Sequence, residues 1–217
     1  MKKTILIAED EELQLSYIKR DILTYRSNKY TIVGEARNGI ELLNLWKKLK
    51  PDILIVDLNM PQITGGEAIY EIRKKDKKTK IIVLTSLEDE SLINAFLKYS
   101  DAYLLKTHET PKNFLKKLDE VAFTDKKEVR DYLLPKIRKS KEEKINLSLR
   151  QLEITYGIKH GLKNNEIAKK LFITKRAVEK AVQNLLVKFN VKDRHELAAK
   201  FDEKKVYGKI IDDKGDE

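Results

Sequence analysis

Residues 52–61 read DILIVDLNMP. The run 52–56 is almost wholly Ile, Leu and Val, with no alternation of polar and apolar residues. That is the pattern of a strand buried on both faces. It stops at Asp57, and Pro61 marks the turn beyond. Working outward, similar short apolar runs occupy 4–8, 30–36, 80–84 and 102–105, and helix-period stretches lie at 11–26, 38–49, 66–75, 88–98 and 110–123. Parallel strands need a crossover each, so five β-α repeats predict an α/β fold: a flavodoxin-like, doubly wound, five-stranded parallel sheet over 1–124.

Four of the five runs end in residues with chemistry. The first is followed by Glu9-Asp10, the third by Asp57, the fourth by Thr85-Ser86 and the fifth by Lys106. In open parallel sheets, ligands bind outside the carboxyl ends of the strands. With strand order 2-1-3-4-5, Glu9, Asp10 and Asp57 crowd together. Three close carboxylates repel one another unless a cation sits among them. An all-oxygen ligand set selects a hard ion, most simply Mg²⁺. One carboxylate then serves as a nucleophile, with Lys106 and Thr85 holding the oxygens of an incoming phosphoryl group. A lone Asp at a strand end is commonly a turn or cap residue. Five such groups in this order point to a site.

Composition bounds the rest. A chain of 217 residues suits one medium domain and one smaller one. With no Cys and three His, disulfide scaffolds, thiolate metal sites and His-rich cages are excluded. No apolar stretch is long enough for a signal peptide or a membrane span, so a soluble, cytoplasmic protein with no membrane partner is expected. The net charge of +10 is uneven: about +2 over 1–124, +3 over 125–140, +7 over 141–205 and −2 over 206–217. The excess at 141–205, sixteen Lys and Arg against nine Asp and Glu, points to a polyanion partner such as double-stranded DNA.

Residues 125–146 are charged, interrupted by Pro135 and without a sustained period, and read as a linker with one helical stretch near 129–134. From 147 the pattern is helical only, giving a small all-α domain over 147–205 and a disordered tail over 206–217. Ser148 and Gln151 form a capping box, opening a helix that runs to His160 with Gly161 beyond it. A short helix occupies 164–171, Thr174 caps a third at 175–189, and Asp193 with Glu196 opens a fourth. Val178, Val182, Leu185 and Phe189 make one buried stripe on the third helix, with Arg176, Glu179, Lys180 and Gln183 opposite. A short helix, a turn and a longer helix with a polar outer face form a helix-turn-helix. Lys175 and Lys188, with Lys169 and Lys170 on the preceding helix, are candidate phosphate contacts. Taken alone, the pattern fits a helical bundle with a solvated face equally well.

Two resemblances sharpen this reading. The succession ILIAED, DILIVDLNMP, IIVLTS and AYLLKT resembles the receiver domain of bacterial two-component response regulators across 1–124. The resemblance implies that Asp57 is the phospho-acceptor, and that Glu9, Asp10, Asp57 and the main chain of Asn59 hold Mg²⁺. It further implies that Thr85 is the switch hydroxyl, Lys106 the phosphoryl-binding lysine and Tyr103 the aromatic whose rotamer reports phosphorylation. Thr107 departs from the family's frequent Pro after a cis bond, a geometry costly for other residues. The stretch 147–200 resembles the LuxR-type (NarL/FixJ) four-helix DNA-binding domain. That family often carries Lys at positions 179 and 183 and His at 181, where Glu179, Gln183 and Ala181 stand here.

Together the resemblances imply a phosphorylation-dependent transcription regulator. A histidine kinase is its partner, and it forms a homodimer on phosphorylation or on DNA. It performs no catalysis beyond assisting its own phosphoryl transfer and hydrolysis. Leu197 and Phe201 are the candidate dimer contacts. Two other classes stay open: a DNA binder that ignores phosphorylation, and a receiver whose output is a protein contact.

Overall fold

A computed structural model describes residues 1–87, 96–106, 110–124, 145 and 147–203. The expected helix at 88–98 lies mostly outside the described residues, as do nearly all of the linker, the tail from 206 and Thr107 with its peptide geometry. The chain forms two compact units, each described by itself.

The N-terminal unit runs β1 (Lys3–Ala8), α1 (Glu12–Arg26), β2 (Tyr30–Ala36), α2 (Gly39–Leu49), β3 (Ile53–Val56), α3 (Gly65–Lys75), β4 (Lys80–Thr85), β5 (Ala102–Leu105) and α4 (Pro111–Phe123). The strands are parallel in the order β2-β1-β3-β4-β5. Successive side chains point to opposite faces. One face of the sheet, with Ile5, Ile7, Ile53, Ile55, Ile82 and Leu84, packs on Leu15, Ile18 and Ile22 of α1 and on Phe114, Leu115 and Leu118 of α4. Leu6, Leu54, Val56, Ile81 and Val83 alternate with these and are equally buried. Both faces are therefore covered, which explains runs without a polar break.

Helix ends are set by side-chain caps. The Asn38 side chain accepts from Glu41 N–H at 2.9 Å, and Thr64 and Glu67 form a capping box. Past the last strand residues the backbones still pair: Asp57 N–H donates to Ala8 O at 2.9 Å and Lys106 N–H to Thr85 O at 2.9 Å. These bonds hold four strand ends on one rim.

The C-terminal unit has α5 (Leu149–Lys159), α6 (Asn164–Lys170), α7 (Lys175–Phe189) and α8 (Arg194–Glu203). Ser148 and Gln151 make the expected capping box, and Thr174 accepts from Ala177 N–H at 3.1 Å. Gly161 adopts φ +75°, the left-handed conformation that ends α5. At α8 the cap is offset from expectation. Asp193 accepts from Glu196 N–H at 2.9 Å, but the Glu196 carboxylate reaches back to Lys192 N–H at 2.9 Å. Val178, Val182, Leu185 and Phe189 are the buried residues of α7. They face α5, α6 and α8.

Candidate functional site

Glu9 and Asp10 stand after β1, and Asp57 after the adjacent β3. Their carboxylates present oxygens all within 4.8 Å of one another. Glu9 and Asp57 are nearly inaccessible, at 1% and 5% exposure, and Asp10 is half-buried. Lys106, at the end of β5, reaches across β4. Its Nζ lies 2.7 Å from Asp57 Oδ2 and 2.8 Å from Glu9 Oε2. The Asn59 N–H donates to Asp57 Oδ1 at 3.2 Å, and the Glu11 N–H to Glu9 Oε1 at 3.3 Å.

One ammonium against three carboxylates leaves an excess of negative charge, which adds to the effect of burial on the two acidic groups beside Asp57. Burial, then the Asp57 charge, pushes the Glu9 carboxyl up to about 7, although Lys106 pulls the other way. Burial and Asp57 also raise Asp10. Burial opposes the Lys106 ammonium, but the charges of Asp57 and Glu9 outweigh it and its pKa rises. A buried, oxygen-only cluster with uncompensated charge fits a hard divalent cation.

Thr85 ends β4, fully buried, and its Oγ1 accepts a hydrogen bond from Leu87 N–H at 3.4 Å. Tyr103 on β5 is turned inward, its hydroxyl donating to Leu87 O at 2.6 Å. The same Leu87 thus engages Thr85 through its N–H and Tyr103 through its carbonyl.

In the C-terminal unit, Lys175, Arg176, Glu179, Lys180, Gln183 and Lys188 of α7 are all exposed, as are Lys169 and Lys170 of α6. At 100° per residue, Arg176, Glu179, Lys180 and Gln183 share one outward face with Val187, which is 81% exposed. Lys175 Nζ pairs with Glu179 Oε1 at 3.3 Å, and Lys188 Nζ lies 3.4 Å from Gln151 Oε1.

Comparison with known proteins accords with both halves. The response regulator receiver domain matches residues 5–119, and the domain of bacterial regulatory proteins of the luxR family matches 145–201. The nitrate/nitrite response regulator protein NarL of Escherichia coli (strain K12) is 32% identical over 213 residues, 94% of this chain and 97% of NarL. The chain belongs to the LuxR-type response regulators. Among solved structures, the RcsB response regulator of Salmonella typhimurium superposes with a TM-score of 0.69 at 25% identity, covering 93% of this chain and 98% of RcsB. RcsB from Salmonella enterica serovar Typhimurium, bound to promoter rprA in the presence of phosphomimetic BeF3−, gives 0.65 at 25% identity, covering 93% and 99%.

As in the receiver pattern, the N-terminal unit brings Glu9, Asp10, Asp57, Asn59 and Lys106 together, with Thr85 and Tyr103 joined through Leu87. The expectation for Leu197 and Phe201 needs correction. They are 0% and 3% exposed, with Phe201 6.4 Å from Phe189 between ring centroids. These side chains fill the core of their own domain and present no surface to a second copy.

Two further residues of this response regulator, Arg37 and Gly65, are absent from the set expected at the strand ends. Arg37, just past β2, donates from Nη1 to Glu9 O at 3.3 Å and pairs with Glu12, bracing the acidic loop from outside. It stands directly after the second apolar run, the same position that marks the site residues on the other four strands. Gly65 opens α3 so close to Asp57 that an added Cβ would lie 1.8 Å from Asp57 O. Leu87, two residues past Thr85, engages Thr85 and Tyr103 through its peptide N–H and carbonyl.

Proposed function

We propose that this two-component transcriptional regulator carries its chemistry at the strand-end pocket, with Asp57 as the phospho-acceptor. The observation supporting this most directly is the buried Glu9, Asp10 and Asp57 cluster with Lys106 2.7 Å from the Asp57 carboxylate. An Asp57 oxygen attacks the phosphorus of a phosphohistidine on a partner kinase. The P–O bond forms as the P–N bond breaks, and the histidine nitrogen leaves with the P–N electron pair and takes up a proton from solvent. Glu9, Asp10, Asp57 and the main chain of Asn59 would hold Mg²⁺, which when bound offsets the negative charge of the phosphoryl oxygens.

Lys106 exchanges its hold on the Asp57 carboxylate for a phosphoryl oxygen. Thr85 turns its hydroxyl from Leu87 N–H to donate to a second one. Because Leu87 also anchors the Tyr103 hydroxyl, that exchange biases the Tyr103 rotamer and shifts a two-state equilibrium on the β4–β5 side of the receiver. The receiver then favours a homodimer, which sets two copies of α7 in successive major grooves. There Lys175, Arg176, Lys180 and Lys188 meet phosphates and base edges. Gln183 suits adenine, and Glu179 suits the N4 amino group of cytosine. The protein assists its own phosphoryl transfer and hydrolysis and works in the cytoplasm with the chromosome.

Incubation with a small phosphodonor and Mg²⁺, followed by intact mass, tests the assignment. The parent gains one phosphoryl mass and Asp57→Asn gains none. Equal gain by both, or gain by neither, overturns it.

A further inference from the structure

At the opposite end of the receiver sheet, beside the amino ends of β3 and β4, the structure has a cavity of about 490 Å³ lined by Trp46, Lys47, Lys50, Pro51, Asp52, Asp76, Lys78 and Thr79. Its size falls within the range of small-molecule sites. Nothing in the phosphoryl chemistry uses it.

The charges around it are sorted. Both carboxylates are engaged by donors of the protein itself, although the Asp52 side chain keeps 41% of its surface exposed. Asp76 accepts from Trp46 Nε1–H at 3.2 Å, Lys78 N–H at 2.7 Å and Thr79 N–H at 3.1 Å. Asp52 accepts from Thr4 N–H at 2.8 Å, Thr4 Oγ1 at 2.9 Å and Lys3 Nζ at 3.3 Å. The three lysines at the mouth are different. The side chains of Lys47, Lys50 and Lys78 make no hydrogen bond or ion pair among the described residues. They also come from separate places: the last turn of α2, its C-cap and the loop before β4. Complementing one helix dipole therefore does not account for all three.

Lys50 ends α2 at φ 45°, in the left-handed region that favours Gly or Asn at a helix end, and so sets a lysine beside the cavity. Beneath the lysines, the Trp46 indole has its N–H satisfied by Asp76 and, with Pro51, offers the cavity an apolar wall.

We propose that this basal cavity binds a small phosphorylated molecule carrying a flat ring, a nucleotide, with Lys47, Lys50 and Lys78 on its phosphates and the Trp46–Pro51 wall against its ring. The receiver then has two anion-responsive ends, one covalent and one reversible.

Trp46 is the only tryptophan in the chain, so its fluorescence reports this cavity directly. The intact protein in EDTA is titrated with ADP, with adenosine and with pyrophosphate. ADP gives a saturable change, and adenosine and pyrophosphate bind at least about tenfold more weakly. Lys47→Gln with Lys78→Gln weakens ADP at least about tenfold, while Asp57→Asn leaves it unchanged. Lys50→Gly separates binding from folding: it relieves the left-handed strain and raises the melting temperature, yet weakens ADP. No saturation by about 10 mM ADP, or unchanged affinity in the lysine variants, overturns the site. Pyrophosphate binding as tightly as ADP overturns the ring-bearing ligand.

Discussion

Lys106 Nζ sits 2.7 Å from Asp57 Oδ2, an ion pair that bridges the ends of two strands separated by a third. The same ammonium holds Glu9 at 2.8 Å, so removing it strips two buried carboxylates of their shared counter-charge. Breaking such a pair destabilises by about 3 kcal/mol or more. Lys106→Ala therefore lowers stability in urea denaturation with EDTA present. The loss is larger at pH 8 than at pH 6, because at lower pH Glu9 takes up a proton. A loss of equal size at both pH values would show that the ammonium does not balance this cluster.

Glu9 has its own pH signature. Its carboxyl stands near 7 in the folded protein against an ordinary value near 4.5, chiefly through burial and then Asp57. Between those values the folded state binds more protons than the unfolded chain. Its contribution is fully present below pH 4.5 and is lost as pH rises through 7, by about 3 kcal/mol in all. A cation competes with that proton. The rise in melting temperature on replacing EDTA with Mg²⁺ should thus grow steadily from pH 5.5 to pH 8, and Asp57→Asn should flatten it. A rise independent of pH contradicts the cluster as the metal site.

The strands could be read from sequence because β1, β3 and β4 are covered on both sides, and burial leaves an unbroken apolar run. The acidic pocket could be read because its groups stand directly after those runs. What stayed hidden works through backbone atoms across long sequence gaps: Arg37 on Glu9 O, Tyr103 on Leu87 O, and Gly65 against Asp57 O. No spacing encodes these contacts. Leu197 and Phe201 misled for another reason. An apolar stripe on a short helix looks the same whether it meets its own core or a partner.

Gly65 is the strictest of the hidden contacts. The atom an alanine Cβ would strike is the Asp57 carbonyl oxygen, at 1.8 Å, and Val56 Cγ1 also lies at 2.9 Å. A side chain swings aside, but a backbone carbonyl fixed in a strand end does not. Gly65→Ala must displace either α3 or the Asp57 peptide, with about 1–3 kcal/mol of overpacking. The expected result is a melting temperature lower by several degrees, together with slower acquisition of the phosphoryl mass. Parent-like values for both would mean the turn has room that the structure denies it.

Leu197 and Phe201 give the opposite expectation from an interface. Truncating a fully buried leucine destabilises by about 2–5 kcal/mol. Leu197→Ala should melt the C-terminal unit early and lower DNA binding through unfolding. At temperatures where the variant stays folded, sedimentation should show the same monomer–dimer balance as the parent. A shift in that balance without loss of stability would restore the dimer role.

Glu179 decides how the exposed face of α7 meets DNA. It stands among Arg176, Lys180 and Gln183, and its carboxylate holds Lys175 at 3.3 Å in an exposed pair. Such pairs contribute less than about 1 kcal/mol, so folding gains little from it. Facing a phosphate backbone, however, Glu179 repels the polyanion and keeps one lysine occupied. Glu179→Ala removes the repulsion and frees Lys175 for a phosphate. Binding to arbitrary duplex should tighten, and the slope of log affinity against log salt should steepen by about 0.9, the increment for one added phosphate contact. Lys180→Ala should move the slope the other way by a similar amount, for every sequence alike. Fluorescence anisotropy with a labelled duplex across a salt series measures both. If neither substitution changes the slope, this face of α7 does not lie against DNA.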